Sequence, residues 1–195
     1  MPRIEIAEPQ DRWPREFAAI GARLRGALGP LALAIHHIGS TSVPGLPAKD
    51  VIDLQITVAA LDPVEPLRAG IEAAGYRLRD DYDVCHDHVP PGADPAPANW
   101  AKRRAAAHDG ERRTHIHIRV AGAPNARYPL LFRDYLRATP AAAATYGEIK
   151  RQLARLHPND EDAYYDVKDP VMDLIMAAAE FWAANTGWSL PPSDV

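Results

Sequence analysis

Two hydrophobic rhythms run along the chain, one with the helical interval of three to four residues and one that alternates. Trp13, Phe17, Ile20, Leu24 and Leu28 recur at the helical interval. Asp11 stands where an N-cap belongs and Gly29-Pro30 stops the run, so the pattern predicts an amphipathic helix over 12–28. A short apolar run over 31–38, closed by Gly39-Ser40, reads as a buried strand. Residues 51–58 alternate, with Ile52, Leu54, Ile56 and Val58 on one face and Asp53, Gln55 and Thr57 on the other.

Asp62-Pro63 opens a helix over about 63–74 that Gly75 ends, and 76–78 returns to strand. From 80 to 113 the pattern decays around PPGADPAPAN, which predicts a long loop with a short strand near 100–104. RTHIHIRV, residues 113–120, alternates again. Three helices follow: about 126–138, then 140–156 with Thr139 as cap and Pro140 at the first position, then 170–184 opened by Asp169-Pro170. The tail, 187–195, reads as loose. The order predicts an α+β domain.

Composition narrows the class. At 195 residues the chain suits one well-cored unit spanning 1–195. With 47% hydrophobic and 25% charged residues it reads as a globular protein, and its net charge of -4 gives no global attraction to nucleic acid or an acidic membrane. The single cysteine, Cys85, excludes an intrachain disulfide and a Cys-only zinc site, which suits a reducing compartment. MPRIEIAEPQDRWPREF lacks the basic start and apolar core of a secretory signal, and no apolar stretch is long enough to span a bilayer; the expected location is cytoplasmic.

The polar positions carry the candidate chemistry. A Gly39-Ser40 turn directly after a strand offers backbone N-H groups and a hydroxyl to phosphate oxygens, with Thr41 and Ser42 adding hydroxyls and Lys49 a charge. Taken alone, such a turn is most often only a connector. Asp53 lies on the polar face of its strand, and His115 and His117 project from one face of theirs. Together these three are the candidate catalytic and metal-ligating residues, for Mg, Mn or, with imidazole donors, Zn. The plainer reading of the histidines is a polar strand face. Lys102, Arg103, Arg104, Arg112 and Arg113 form a basic cluster, with Arg113 the expected phosphate contact; Lys168 is expected to reach the cleft from a helix start. Lys150 reads as a surface residue. Trp100 offers a stacking surface, but no aromatic series supports a nucleic-acid reader.

HHIGSTSVPGLPAKDVIDLQITV, residues 36–58, resembles the signature segment of the GrpB family. RTHIHIRV, FRDYLRATP and the stretches 146–150 and 164–168 resemble that family's later segments, so the likeness runs over about 9–184. Strand, Gly-Ser, short connection and a strand aspartate are also similar to the DNA polymerase beta-like nucleotidyltransferase superfamily. There the Gly-Ser holds a phosphate and two strand carboxylates, two residues apart, hold magnesium. The resemblance implies a small mixed β-sheet flanked by helices, with a helical C-terminal part from about 126. It implies a small phosphorylated ligand or nucleotide at Gly39 and Ser40, and a loose link to coenzyme metabolism through members fused to dephospho-CoA kinase. Gln55 stands at the second carboxylate position, which removes one charge from a metal site. A binding domain, an active metal-dependent transferase and a protein-interaction module therefore all stay open.

Overall fold

The computed structural model describes residues 3–79 and 84–195. Residues 80–83, the start of the expected long loop, lie outside the described residues. Helix α1, Arg12–Leu28, buries Trp13, Phe17, Ile20, Leu24 and Leu28, the stripe its periodicity marks out. Asp11 makes no side-chain cap bond; the aspartate that serves the helix start is Asp50, which accepts from Trp13 Nε1 at 2.7 Å. Strands β1, Ala34–Ile38, and β2, Ile52–Val58, follow on either side of the Ser40–Ser42 turn. Then come α2, Glu65–Ala73, β3, Arg77–Leu78, and β4, Cys85–His86. A single turn α3, Pro97–Trp100, leads into β5, Ala101–Ala106, and β6, Thr114–Val120. Helices α4, Pro124–Ala138, α5, Pro140–Leu156, and α6, Glu161–Thr186, complete the chain.

The strands form one six-stranded sheet in the order β1-β2-β6-β5-β3, with β4 also on β5. β2 and β6 run parallel at its centre and the other pairs are antiparallel, which makes the sheet mixed. Alternation sets its two faces. Ile52, Leu54, Ile56, Ile116 and Ile118 pack with Leu24, Leu67 and Ile71 of α1 and α2 into the main core. The opposite face carries Asp53, Gln55, His115, His117 and Arg119, and α4 crosses it at β1 and β6. Val43 and Leu46 of the turn join α4, α5 and α6 in a second core. The cleft lies between that core and the polar face.

The C-terminal part departs from the sequence pattern in two places. α6 begins at Glu161, not Asp169: Asp160 caps it by accepting from Ala163 N at 3.0 Å, and Pro170 sits inside the helix. Asp-Pro resembles a start signal because proline fits a first turn, yet an upstream cap overrides it. The tail is not loose. Asp194 N donates to Ile35 O at 3.0 Å, and the Asp194 carboxylate accepts from His37 N at 2.8 Å and Arg133 Nη1 at 2.9 Å. The segment thus covers the free edge of β1, where unpaired backbone groups would otherwise face solvent.

Candidate functional site

The parallel register of β2 and β6 sets Asp53 opposite His115 and Gln55 opposite His117. Same-face neighbours in register are in side-chain reach. His115 Nδ1 lies 3.2 Å from Asp53 Oδ1, while His117 Nε2 stands at 4.0 Å. His117 Nδ1 is buried with no hydrogen-bond partner among the described residues. Burial first, then the charges of Arg119 and Lys102, hold that imidazole well below its ordinary range, so it is neutral.

The Gly-Ser turn is pressed against this carboxylate. Gly39 has φ of 69° and ψ of -175°, and a Cβ there would lie 2.5 Å from Asp53 Oδ2. Only glycine meets both conditions. The three hydroxyls that follow have different fates. Ser42 Oγ donates to Gly39 O at 2.6 Å, and Thr41 Oγ1 donates to Val51 O at 3.2 Å while meeting His37 Nε2 at 3.1 Å. Both side chains are buried and hold the turn together, so they do not offer free hydroxyls to a ligand as expected from the sequence. Ser40 is partly exposed and lines the cleft, and its Oγ accepts from Lys150 Nζ at 2.8 Å.

Lys150 is not a surface residue. It is buried on α5, also donates to Pro47 O at 2.5 Å, and lies 4.7 Å from the centre of the Tyr146 ring. Gly147 makes this possible: a Cβ there would come 2.9 Å from Pro47 Cδ, so glycine lets α5 close on the turn. Burial, then the charges of Lys168 and Arg151, pull the Lys150 amine down to about 7, against a raising contribution from Asp53. Lys168 enters from the interior of α6, not from a helix start, and its amine is also lowered, chiefly by burial. Its neighbours are Asp169 at 3.5 Å and the Tyr165 ring at 5.2 Å. Lys49 pairs with Glu161 at 3.2 Å and lies against the rings of Tyr164 and Tyr165. The cleft that these groups line, between the sheet face and α4 to α6, encloses about 460 Å³, a size that suits a small molecule.

The basic cluster is dispersed. Arg104, cross-strand from His117, lines the cleft. Arg103 points to the other face, onto Leu61 O and Asp62, and Arg112 bridges Glu16 and Asp50. Arg113 lines a separate hollow with Arg3, Glu5, Asp50 and Glu161. It precedes β6, so strand alternation does not direct it into the cleft. Lys102 and Arg119 both grip Asp87, Arg119 through Nε at 2.8 Å and Nη2 at 3.0 Å. Trp100 is buried, its indole N-H donating to Asp94 O at 2.8 Å.

Gln55 is fully buried. Its Oε1 accepts from Arg119 Nη1 at 2.9 Å and its Nε2 donates to Ala126 O at 2.8 Å. The second carboxylate position is therefore part of the packing between sheet and α4, beneath the cleft surface. Among the described residues no group of three or more His, Cys, Asp or Glu side chains is placed to hold a metal ion. Asp53 and His115 are the two protein donors that this face brings into contact.

The sequence passes over Lys150, although a signal for it exists. Tyr146, Lys150 and Leu153 fall at i, i+4 and i+7, so the lysine shares the buried face of α5. The same Tyr-x-x-x-Lys spacing recurs at Tyr164 and Lys168 on α6.

A mixed six-stranded sheet carrying a Gly-Ser turn, one strand aspartate and convergent lysines defines an α+β protein with a polar cleft. The chain belongs to the GrpB family, whose model matches residues 3–178. It is 39% identical over 197 residues to a dephospho-CoA kinase of Mycolicibacterium paratuberculosis, a match covering 95% of this chain and 48% of that protein. It is 34% identical to the UPF0157 protein YqkA of Bacillus subtilis, covering 92% of this chain and 48% of that one. The chain thus spans about half the length of these relatives. A UPF0157 protein of Pseudomonas aeruginosa is 36% identical, with 91% of this chain and 68% of that protein matched. The crystal structure of conserved protein GrpB from Enterococcus faecalis superimposes with a TM-score of 0.74 at 31% identity, covering 91% of this chain and 99% of that one. Among the described residues no helix is long and apolar enough to cross a membrane.

Proposed function

We propose that the cleft binds the phosphate groups of a small phosphorylated molecule, with nucleotides the leading class, in a nucleotidyltransferase-like arrangement reduced to one carboxylate. The observation that carries this reading is the meeting of Lys150 from α5 with Ser40 Oγ in the cleft that Lys168 of α6 also lines, with both amines desolvated. Desolvated lysines are costly unless an anion meets them. Lys49 and Arg104 add charge along the same walls, and the exposed Tyr165 supplies ring surface for an attached base. The longer relatives' name adds coenzyme A and its dephosphorylated form to the ligands worth testing.

An active metal-dependent nucleotidyl or phosphoryl transferase is the second reading. The Asp53–His115 contact in the same cleft favours it. A divalent cation there would need most of its ligands from the substrate's phosphates and from water, because the protein offers two donors in contact.

Titration calorimetry with inorganic phosphate, ATP, coenzyme A and dephospho-CoA tests both readings, first in EDTA and then with Mg or Mn. The binding reading expects heat in EDTA, with affinity falling about tenfold or more in Lys168→Met. Heat only with metal, lost in Asp53→Asn, supports the transferase reading. No heat with any of these ligands under either condition overturns both.

A further inference from the structure

We propose that Ser40 and Lys150 form a nucleophile and general-base pair, in which Ser40 Oγ takes a phosphoryl group from a phosphoric ester or anhydride held in the cleft. The proposal rests on the reading of this cleft as a phosphate site.

The turn carries three hydroxyls in succession, and their partners separate them. Those of Thr41 and Ser42 are buried and donate to the carbonyls of Val51 and Gly39, and Thr41 Oγ1 also meets the buried His37 Nε2 at 3.1 Å. Ser40 is the partly exposed one of the three, and its Oγ meets the amine of Lys150, Nζ at 2.8 Å, at the cleft wall. A nucleophile and a base within hydrogen-bond reach, with the base held by a third group, is the geometry of an activated hydroxyl. The third group here is the Pro47 carbonyl, 2.5 Å from Lys150 Nζ, and the Tyr146 ring flanks the amine.

The charge state supports the geometry. Lys168 on α6 and Arg151 on α5 face the amine with like charge, and Asp53 on β2 opposes them in part. With its amine brought down to about 7, Lys150 is neutral in a large share of molecules at neutral pH. In that form one N-H still donates to Pro47, and the lone pair is free to accept the Ser40 proton.

The step balances without a further reagent. Ser40 gives its proton to Lys150 as Oγ bonds to phosphorus, and the bond from phosphorus to the leaving oxygen breaks. Lys150 then returns that proton to the leaving oxygen. In the second half water gives a proton to Lys150 as its oxygen bonds to phosphorus. The Oγ–P bond breaks, and Lys150 re-protonates Ser40. Lys168 places a positive charge near the phosphoryl oxygens as their negative charge develops.

A fluorophosphonate probe followed by peptide mass spectrometry tests the pair on the full chain. Ser40 is expected to carry the adduct, with fluoride as the leaving group. The labelling rate should rise about tenfold per pH unit below pH 7 and level off above it, as expected for a base of that strength. Lys150→Arg keeps the charge and much of the bulk but cannot act as the base, and it should lower the rate by about 100-fold. Absence of an adduct on Ser40 between pH 6 and 9, or an unchanged rate in Lys150→Arg, overturns the proposal. The wild-type pH profile decides even if the variant misfolds. Nucleotide binding without labelling rejects the pair and retains the phosphate cleft; labelling without nucleotide binding retains the pair and rejects the cleft's proposed ligand.

Discussion

Gln55 and Arg119 are joined by a hydrogen bond of 2.9 Å from Nη1 to Oε1, at the position where a two-carboxylate site would place its second acid. The same amide donates to Ala126 O, so the position needs an acceptor and a donor at once. Glutamate supplies only acceptors when ionised. Gln55→Glu is therefore expected to set a carboxylate oxygen against the Ala126 carbonyl in place of a donor and to cost about 1–3 kcal/mol, without creating a metal site. Urea unfolding should show the loss, and titration with Mg or Mn should show no new heat.

The β-strands that build the site were legible because alternation is a local property. Asp53, His115 and His117 share a face in the sequence pattern and share it in the sheet. What alternation does not contain is register between strands, which here sets His115 close to Asp53 and His117 farther away. Lys150 escapes the sequence pattern for a related reason. Its partners, Ser40 and Pro47, lie more than a hundred residues away in sequence, and a charged residue with no visible partner defaults to the surface. Arg113 shows the reverse error, since a basic residue beside a site-bearing strand faces a different hollow. Asp169-Pro170 misled because a start signal inside a helix looks the same as one at its end.

Gly39 couples the turn to the carboxylate. Its φ of 69° disfavours any side chain, and an added Cβ would meet Asp53 Oδ2 at 2.5 Å. Gly39→Ala should cost about 1–3 kcal/mol in strain and push the turn away from Asp53. A lowered melting temperature together with weaker binding of phosphate ligands checks this; unchanged binding would show that the turn position does not matter to the site.

Asp87 holds two cations, Lys102 and Arg119, at the cleft wall. Burial alone would raise its carboxyl, but Arg119 and Lys102 outweigh that and keep it below the ordinary carboxylate range. Asn125 Nδ2 adds a hydrogen bond at 3.1 Å. Asp87→Asn removes the carboxylate that, among the described residues, Arg119 and Lys102 share, and weakens the compensation of both buried cations. Guanidinium unfolding should report a loss of about 3–5 kcal/mol, as for other broken buried pairs. A loss below about 1 kcal/mol would mean that the network is relaxed by water.

Lys150 makes stability depend on pH in a defined direction. Its folded-state pKa, about 7, lies below the ordinary 10.5, so between those values the unfolded chain binds the proton and the folded chain does not. Stability from this group therefore rises with pH across that window and is lost as pH falls to about 7. Lys150→Met removes the titration. The stability of the wild type minus that of Lys150→Met should increase from pH 7 to pH 9, with a slope of up to about 1.4 kcal/mol per pH unit. Taking the difference cancels the contributions of groups that both proteins share. A flat difference in the free protein would place the amine's titration outside this window and return Lys150 to the role of a permanent cation.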